Sequence, residues 1–414
     1  MDMDTSASAD RLTYNAPWPV YGVSLARRRD SPFRVAVSSF VEQYANQVQV
    51  IDLVANTSPS PAPGSAAPPQ PSSILSPLCT LEHPYPATKV DWIPDEGGVH
   101  PSLVATTGDF LRIWDVSPDG GDGGSGSGIG GRGAGGAVGV GAPPNPPTTG
   151  TMKCLLTSNT ASEYCAPLTA FDWNEVDVSI IGTSSIDTTC TVWDVTTQQS
   201  VTQLIAHDAE VYDFAFAVRS TNVFASVGAD GSVRLFDLRS LEHSTIVYEA
   251  PDAAPLLRLR WNAHDPNYLA AVVGGSPEVV LLDIRVPSTP VATLRHAGGG
   301  GAAEATSGGV SAGATGGGGT AMPGGVGGGG GAADDGSSNS VNALCWAPHS
   351  AAHLLSVSDG GEALIWDVSR VPASSAEPVL SYDAGGPVNN GDWSAANVDY
   401  CAIAVGSEAQ LLRV

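Results

Sequence analysis

Basic residues are scarce in this 414-residue chain: Lys and Arg together number 18 against 42 Asp and Glu, a formal charge of −24. So acidic a molecule repels phosphate backbones and anionic lipid headgroups, and direct binding to nucleic acid or a membrane surface is not expected. The one basic cluster, Arg27-Arg28-Arg29, is too short to reverse that field and reads as a solvated loop. Lysine occurs at Lys89 and Lys153 alone; a receptor that escapes modification and an arginine-favouring genome would both give that count. The six cysteines (Cys79, Cys154, Cys165, Cys190, Cys345, Cys401) never fall in Cys-x-x-Cys spacing, so neither a zinc site nor a disulfide framework is indicated, and no metal or cofactor is expected. No stretch approaches about 18 apolar residues. The start, Met-Asp-Met-Asp-Thr-Ser-Ala-Ser, is acidic and polar where a signal peptide is basic and then apolar. Neither export nor membrane anchoring is expected.

What the chain does have is repetition. Seven segments share an apolar, aromatic-acidic ending: residues 49–53 (QVIDL), 112–116 (RIWDV), 191–195 (TVWDV), 234–238 (RLFDL), 280–284 (VLLDI), 364–368 (LIWDV) and 410–414 (QLLRV). From 191 to 234, 234 to 280 and 364 to 410 the intervals are 43, 46 and 46 residues, the period of the four-stranded WD40 unit. A lone four-stranded sheet is apolar on both faces, and stacking such sheets radially into a closed ring hides them. The expectation is an all-β, seven-bladed propeller forming one unit over residues 10–414, with no room for a separate catalytic domain. Apolar residues at every second position of Val233–Leu238 fit a strand, and Ala-Asp-Gly upstream fits a tight turn. Trp173, Trp261, Trp346 and Trp393 mark first strands of later units.

Three tracts break the period: 56–77 (Pro, Ser, Ala), 117–150 (Gly, ending Pro-Pro-Asn-Pro-Pro) and 298–338 (Gly, Ala). They hold too little apolar side chain to offset the entropy of ordering them and are read, with residues 1–9, as disordered. The first two follow third strands, whereas the third lies between units, so they should leave opposite faces of the ring.

Two motifs look chemical. Gly126-x-Gly128-x-x-Gly131 matches a dinucleotide fingerprint, but no helix pattern follows it and no phosphate-binding Lys is near. His207, Ser226 and Asp230 have the types of a hydrolase triad, yet at WD spacing they form a structural hydrogen-bond chain, favourable when every member is satisfied. Unit 3 offers Thr183, Asp187 and Trp193 without a His, and unit 4 has Phe236 in place of Trp.

Residues 14–21 (YNAPWPVY), 39–46 (SFVEQYAN), 83–89 (HPYPATK), 166–177 (APLTAFDWNEVD), 184–190 (SSIDTTC), 241–249 (LEHSTIVYE) and 265–270 (DPNYLA) closely resemble the family of plant anthocyanin-regulatory (transparent testa glabra) and light-regulated WD proteins and the animal Cullin-4-associated WD-repeat factor. The resemblance spans all but the first ten residues and the three tracts. It implies a non-enzymatic scaffold, nuclear and cytoplasmic, that joins basic helix-loop-helix and MYB transcription regulators, clock components or dual-specificity protein kinases. The alternative is a substrate receptor of a Cullin-4 E3 ubiquitin ligase. Phe224–Arg239 resembles the box that WD proteins present to the Cullin-4 adaptor, and Leu-Asp-Ile-Arg at 282–285 repeats its ending. Arg239 and Arg285 are the candidate donors, oriented by Asp237 and Asp283. Candidates for partner binding on the upper face are Asp208, Glu210 and Tyr212.

The last signature corresponds to a third strand, so the seventh unit needs a fourth from elsewhere. The segment at about 10–15, with Leu12 and Tyr14 alternating with polar neighbours, is expected to supply it. Replacing 298–338 by a short Gly-Ser linker is expected to leave the melting temperature nearly unchanged in calorimetry, because loop-closure entropy grows slowly with length; a large drop would give the tract a structural role.

Overall fold

The computed structural model of the chain describes residues 11–55, 73–117, 148–157, 165–296, 339–371 and 376–414. Each signature falls on the third strand of a four-stranded antiparallel sheet: Asn46–Ala55, Leu111–Asp115, Thr189–Asp194, Ser232–Asp237, Glu278–Asp283, Glu362–Asp367 and Glu408–Arg413. The seven sheets are the blades of a closed β-propeller. Their first strands are Val20–Leu25, Lys89–Trp92, Leu168–Trp173, Val211–Phe216, Leu256–Trp261, Val341–Trp346 and Val388–Trp393. Each packs against the first strands of both neighbours, blade 7 returning to blade 1.

Side-chain chemistry follows radial position. Second strands lie between two neighbouring blades and are buried on both faces, as in Val35–Ser39 and His353–Ser358, so small and branched residues fill them without polar alternation. Outer strands such as Gln199–Ile205 face solvent and are polar. The core is accordingly seven apolar clusters, one between each pair of adjacent blades. Between blades 3 and 4 the cluster is aromatic: Phe236 stacks on Phe224 at 4.9 Å and Phe224 on Phe214 at 4.5 Å. Gly182 of blade 3 admits Phe214, since a Cβ there would lie 2.1 Å from its ring.

The ring is closed as expected. Arg11–Asn15 pairs antiparallel with Glu408–Arg413, with Leu12 opposite Leu411 and Tyr14 opposite Ala409. Tyr14 is buried in the cluster between blades 7 and 1, and its hydroxyl donates to Gln49 Oε1 of blade 1 at 2.6 Å.

The edges of two composition-defined tracts need correction. Residues 73–77 belong to the outer strand of blade 1, Ser73–His83, which pairs along the whole of Asn46–Ala55. Composition misleads there because Pro77 sits beside a bulge at Leu78 on an outer strand, where its missing N–H is tolerated. Thr148–Thr149, at the end of the second tract, forms a short parallel strand on the free edge of Ser73–His83, and the Ser117 N–H binds Asp115 Oδ1 at 3.0 Å. The rest of the three tracts, residues 1–9 and the Gly126-x-Gly128-x-x-Gly131 motif lie outside the described residues. The flanks of the first two tracts join third to fourth strands on one face, called lower here; the flanks of the third, at the end of blade 5 and the start of blade 6, lie on the opposite, upper face.

Removing residues 1–16 is expected to lower the melting temperature by on the order of 5 °C or more, through loss of the ladder and of Leu12 and Tyr14 from the core. Removing 1–8 should change it little. Equal melting curves for the two truncations would mean that this strand does not hold the ring.

Candidate functional site

His207, Ser226 and Asp230 do come together, in blade 4. His207 Nε2 lies 2.8 Å from Ser226 Oγ, and Nδ1 lies 2.9 Å from Asp230 Oδ1 and 3.1 Å from Ser232 Oγ. Burial raises the Asp230 carboxyl, but hydrogen bonds from His207 and Ser232 outweigh it and hold the group well below the ordinary range. Arg234 Nη2 adds contacts to Asp230 at 3.0 Å and Asp208 at 2.6 Å. His207 is 1% exposed and Ser226 0%, so no substrate carbonyl can reach the hydroxyl. The set ties the loop entering blade 4 to its second and third strands.

Blade 3 differs from the expected arrangement. Trp193 Nε1 donates to Thr183 Oγ1 at 2.9 Å, but Asp187 turns away to accept from the N–H and hydroxyl of Thr189. Without a His to bridge them, the Asp caps its own turn. Sequence reasoning missed a stronger set in blade 6, where Ser356 Oγ meets His296 Nε2 at 2.6 Å and accepts from Trp366 Nε1 at 2.8 Å. The 298–338 tract separates His296 from its blade, which masks the spacing.

Also missed was the charge lining the central channel. The position before the last residue of each first strand faces inward: Ser24, Asp91, Asp172, Ala215, Arg260, Cys345 and Asp392, all on one cavity. Two of these carboxylates, and Asp213 buried within the first strand of blade 4, accept an N–H from the next blade's first strand: Asp172 from Phe216 at 2.8 Å, Asp213 from Leu259 at 3.0 Å and Asp392 from Leu25 at 2.7 Å. Carbonyls on the same strands receive Thr88, Thr169, Asn342 and Asn389 of the preceding blade. Lys89 Nζ donates to Phe171 O at 2.6 Å. Burial lifts the Asp172 carboxyl to about 6 against the pull of Lys89. Asp213 goes the other way: burial raises it, but Arg260, 2.8 Å away, and Lys89 together hold it below the ordinary range.

On the lower face, the two Asp-x-Arg endings occupy equivalent turns of adjacent blades. Asp237 accepts the backbone N–H of Arg239 at 3.0 Å and takes the Nε and Nη2 edge of its guanidinium; Asp283 treats Arg285 likewise, at 2.9 Å for the N–H. The arginine side chains remain 70% and 57% exposed. Arg285 also lies 5.6 Å over the Tyr268 ring. Asp115, Asp194 and Asp367 cap the same turn in blades 2, 3 and 6 without an Arg two residues on. The turn is therefore architectural, and among the described residues the clamped guanidinium is peculiar to blades 4 and 5. Arg27, Arg28 and Arg29 each pair with a carboxylate, Glu175, Asp30 and Glu96.

The upper-face candidates separate. Asp208 is engaged by Arg234, Glu210 is exposed on the loop entering blade 4, and Tyr212 is half-buried at the start of its first strand.

No protein-family model matches the chain. Among curated proteins it is similar to the DDB1- and CUL4-associated factor 7 homolog of Dictyostelium discoideum, 44% identical over 97% of this chain and 98% of that protein. An uncharacterized WD repeat-containing protein of Schizosaccharomyces pombe is 33% identical over 94% of this chain and 76% of its own length. A WD repeat-containing protein of Saccharomyces cerevisiae is 35% identical over 69% of this chain and 48% of its own.

The opposite shifts of Asp172 and Asp213 predict opposite mutational effects. A folded-state value raised to about 6 means that Asp172 favours the fold below its unfolded value of 3.8 and loses that contribution as pH rises to 6. Asp172→Asn keeps an acceptor for Phe216, and should raise stability at pH 7 by on the order of 2 kcal/mol, channel water screening the charge, while flattening the pH 4–7 profile. The depressed Asp213 contributes above its unfolded value and loses that contribution as pH falls through the folded one. Asp213→Asn should cost roughly 3 kcal/mol at pH 7 by stranding Arg260. Urea melts across pH check both signs.

Proposed function

The chain belongs to the family of DDB1- and CUL4-associated factor 7 homologues, and from that premise we propose that it is a platform presenting client proteins to a Cullin-4 ubiquitin ligase, with Arg239 and Arg285 meeting the ligase adaptor. The observation that carries this reading is the pair of clamped, exposed guanidiniums on neighbouring blades of one face. Each carboxylate holds its arginine by the Nε edge, leaving Nη1 without a partner among the described residues. A fork already fixed in space loses little conformational entropy when a partner carboxylate or carbonyl docks on it.

The scaffold role that the resemblance implies, towards transcription regulators or dual-specificity kinases, is compatible with this reading and would use the other face. The ring's rigidity supports both, because loop side chains on a pre-formed frame bind without a large ordering cost. No step in either role asks the protein for catalysis.

Arg239→Ala with Arg285→Ala is expected to weaken adaptor association at least tenfold in pull-downs from native extract, without lowering the melting temperature, since exposed ion pairs contribute little to stability. Client proteins recovered with the wild type should be recovered undiminished. Full adaptor association by the double variant would retire the ligase reading and leave the platform reading standing.

A further inference from the structure

The two faces of the ring differ in charge. Upper-face turns carry exposed carboxylates at Glu42, Asp187, Glu210, Asp252, Asp359 and Asp383, none ion-paired among the described residues. Arginines that rise to that rim are already held: Arg112 by Asp109, Arg234 by Asp208 and Asp230, Arg295 by Glu278.

Within this acidic rim, blades 1 and 2 expose aromatic side chains that no core requires. Tyr44 is 79% exposed, Phe40 50% and Tyr85 43%. Tyr44 and Tyr85 meet edge to face with centroids 5.2 Å apart and planes at 68°, forming an open corner; Phe40, on the same loop as Tyr44, pairs with Tyr21 at 5.6 Å. Exposed rings are usually mobile, but these have stiff supports. The loop bearing Phe40, Glu42 and Tyr44 winds around the buried Asn46, whose amide accepts from Val41 N and Ser39 Oγ and donates to the carbonyls of Val41 and Gln43. The Tyr85 loop is flanked by Pro84 and Pro86, and its carbonyl accepts from His83 Nδ1 at 2.5 Å. Glu42 lies two residues before Tyr44, and exposed Glu82 lies three before Tyr85.

We propose that this corner is a docking site for a basic protein segment, Arg- or Lys-rich and interrupted by apolar residues. Cations would sit against the faces of Tyr44 and Tyr85, neutralised by Glu42 and Glu82, while apolar neighbours cover Phe40 and Tyr21. Charge complementarity selects this occupant: an acidic segment meets uncompensated carboxylates, and a purely apolar one leaves them desolvated. Nothing in this assignment depends on the ligase reading, which concerns the opposite face.

The test is selection of the intact protein against a display library of random 12-residue peptides, followed by fluorescence anisotropy with the enriched sequences. Enrichment in Arg and Lys is expected. Individual binders should lose at least tenfold in affinity on Tyr44→Ser with Tyr85→Ser and on Glu42→Lys, while Tyr44→Phe with Tyr85→Phe, which keeps the rings, and Arg239→Ala with Arg285→Ala should bind as the wild type does. Enriched peptides that are acidic or purely apolar, or basic ones that the Ser double variant binds undiminished, would overturn the proposal. The Glu42→Lys variant decides the matter if the Ser variant fails to fold.

Discussion

Every blade of this ring has an innermost strand with a neighbour on one side only, and the backbone groups on its other side must find partners in the channel. An unpaired buried amide costs as much as a lost hydrogen bond. Here the partners come from the adjacent blade: Asp172, Asp213 and Asp392 for the N–H groups, and Thr88, Thr169, Asn342 and Asn389 for the carbonyls. Indole N–H groups of Trp92, Trp261 and Trp346 reach back to carbonyls of the preceding blade. Blade-to-blade packing is thus polar at the axis and apolar farther out, and a blade cannot satisfy its own inner edge. The buried aspartates are a consequence of that edge.

Sequence revealed the ring because the third strand is sandwiched, and sandwiching imposes an apolar ending seven times, closed by Asp in six of them. It also revealed the closing strand, since Leu12 and Tyr14 keep the strand period. Other features carry no such constraint. Asp172 and Asp392 precede tryptophans and look like ordinary polar alternation, so nothing along the chain shows that each reaches the next blade. His296 lost its spacing to an inserted tract, and Ser73–Pro77 resembled that kind of tract because outer strands tolerate Pro and Ser. The corner of Tyr44 and Tyr85 joins two loops about 40 residues apart, a juxtaposition without a period.

The division of labour between faces follows from strand direction. Turns from third to fourth strands open downward and hold the Asp-x-Arg clamps, whereas loops between blades and turns from second to third strands open upward and hold the carboxylates and exposed rings. The two surfaces can be occupied together, each presented by the same stiff frame.

The closing strand also sets a schedule. Asn15 pairs with Glu408, 393 positions later in the chain, so at roughly 5–20 residues per second the ribosome delivers the partner on the order of 20–80 seconds after the strand itself. Throughout that interval Leu12 and Tyr14 have no interface to enter, and blades 1 to 6 stand as an open crescent whose two ends cannot seal each other. Commitment to the native ring therefore waits until Glu408–Arg413 has been made, and a nascent chain arrested before that strand carries blades 1 to 6 without the latch that joins them.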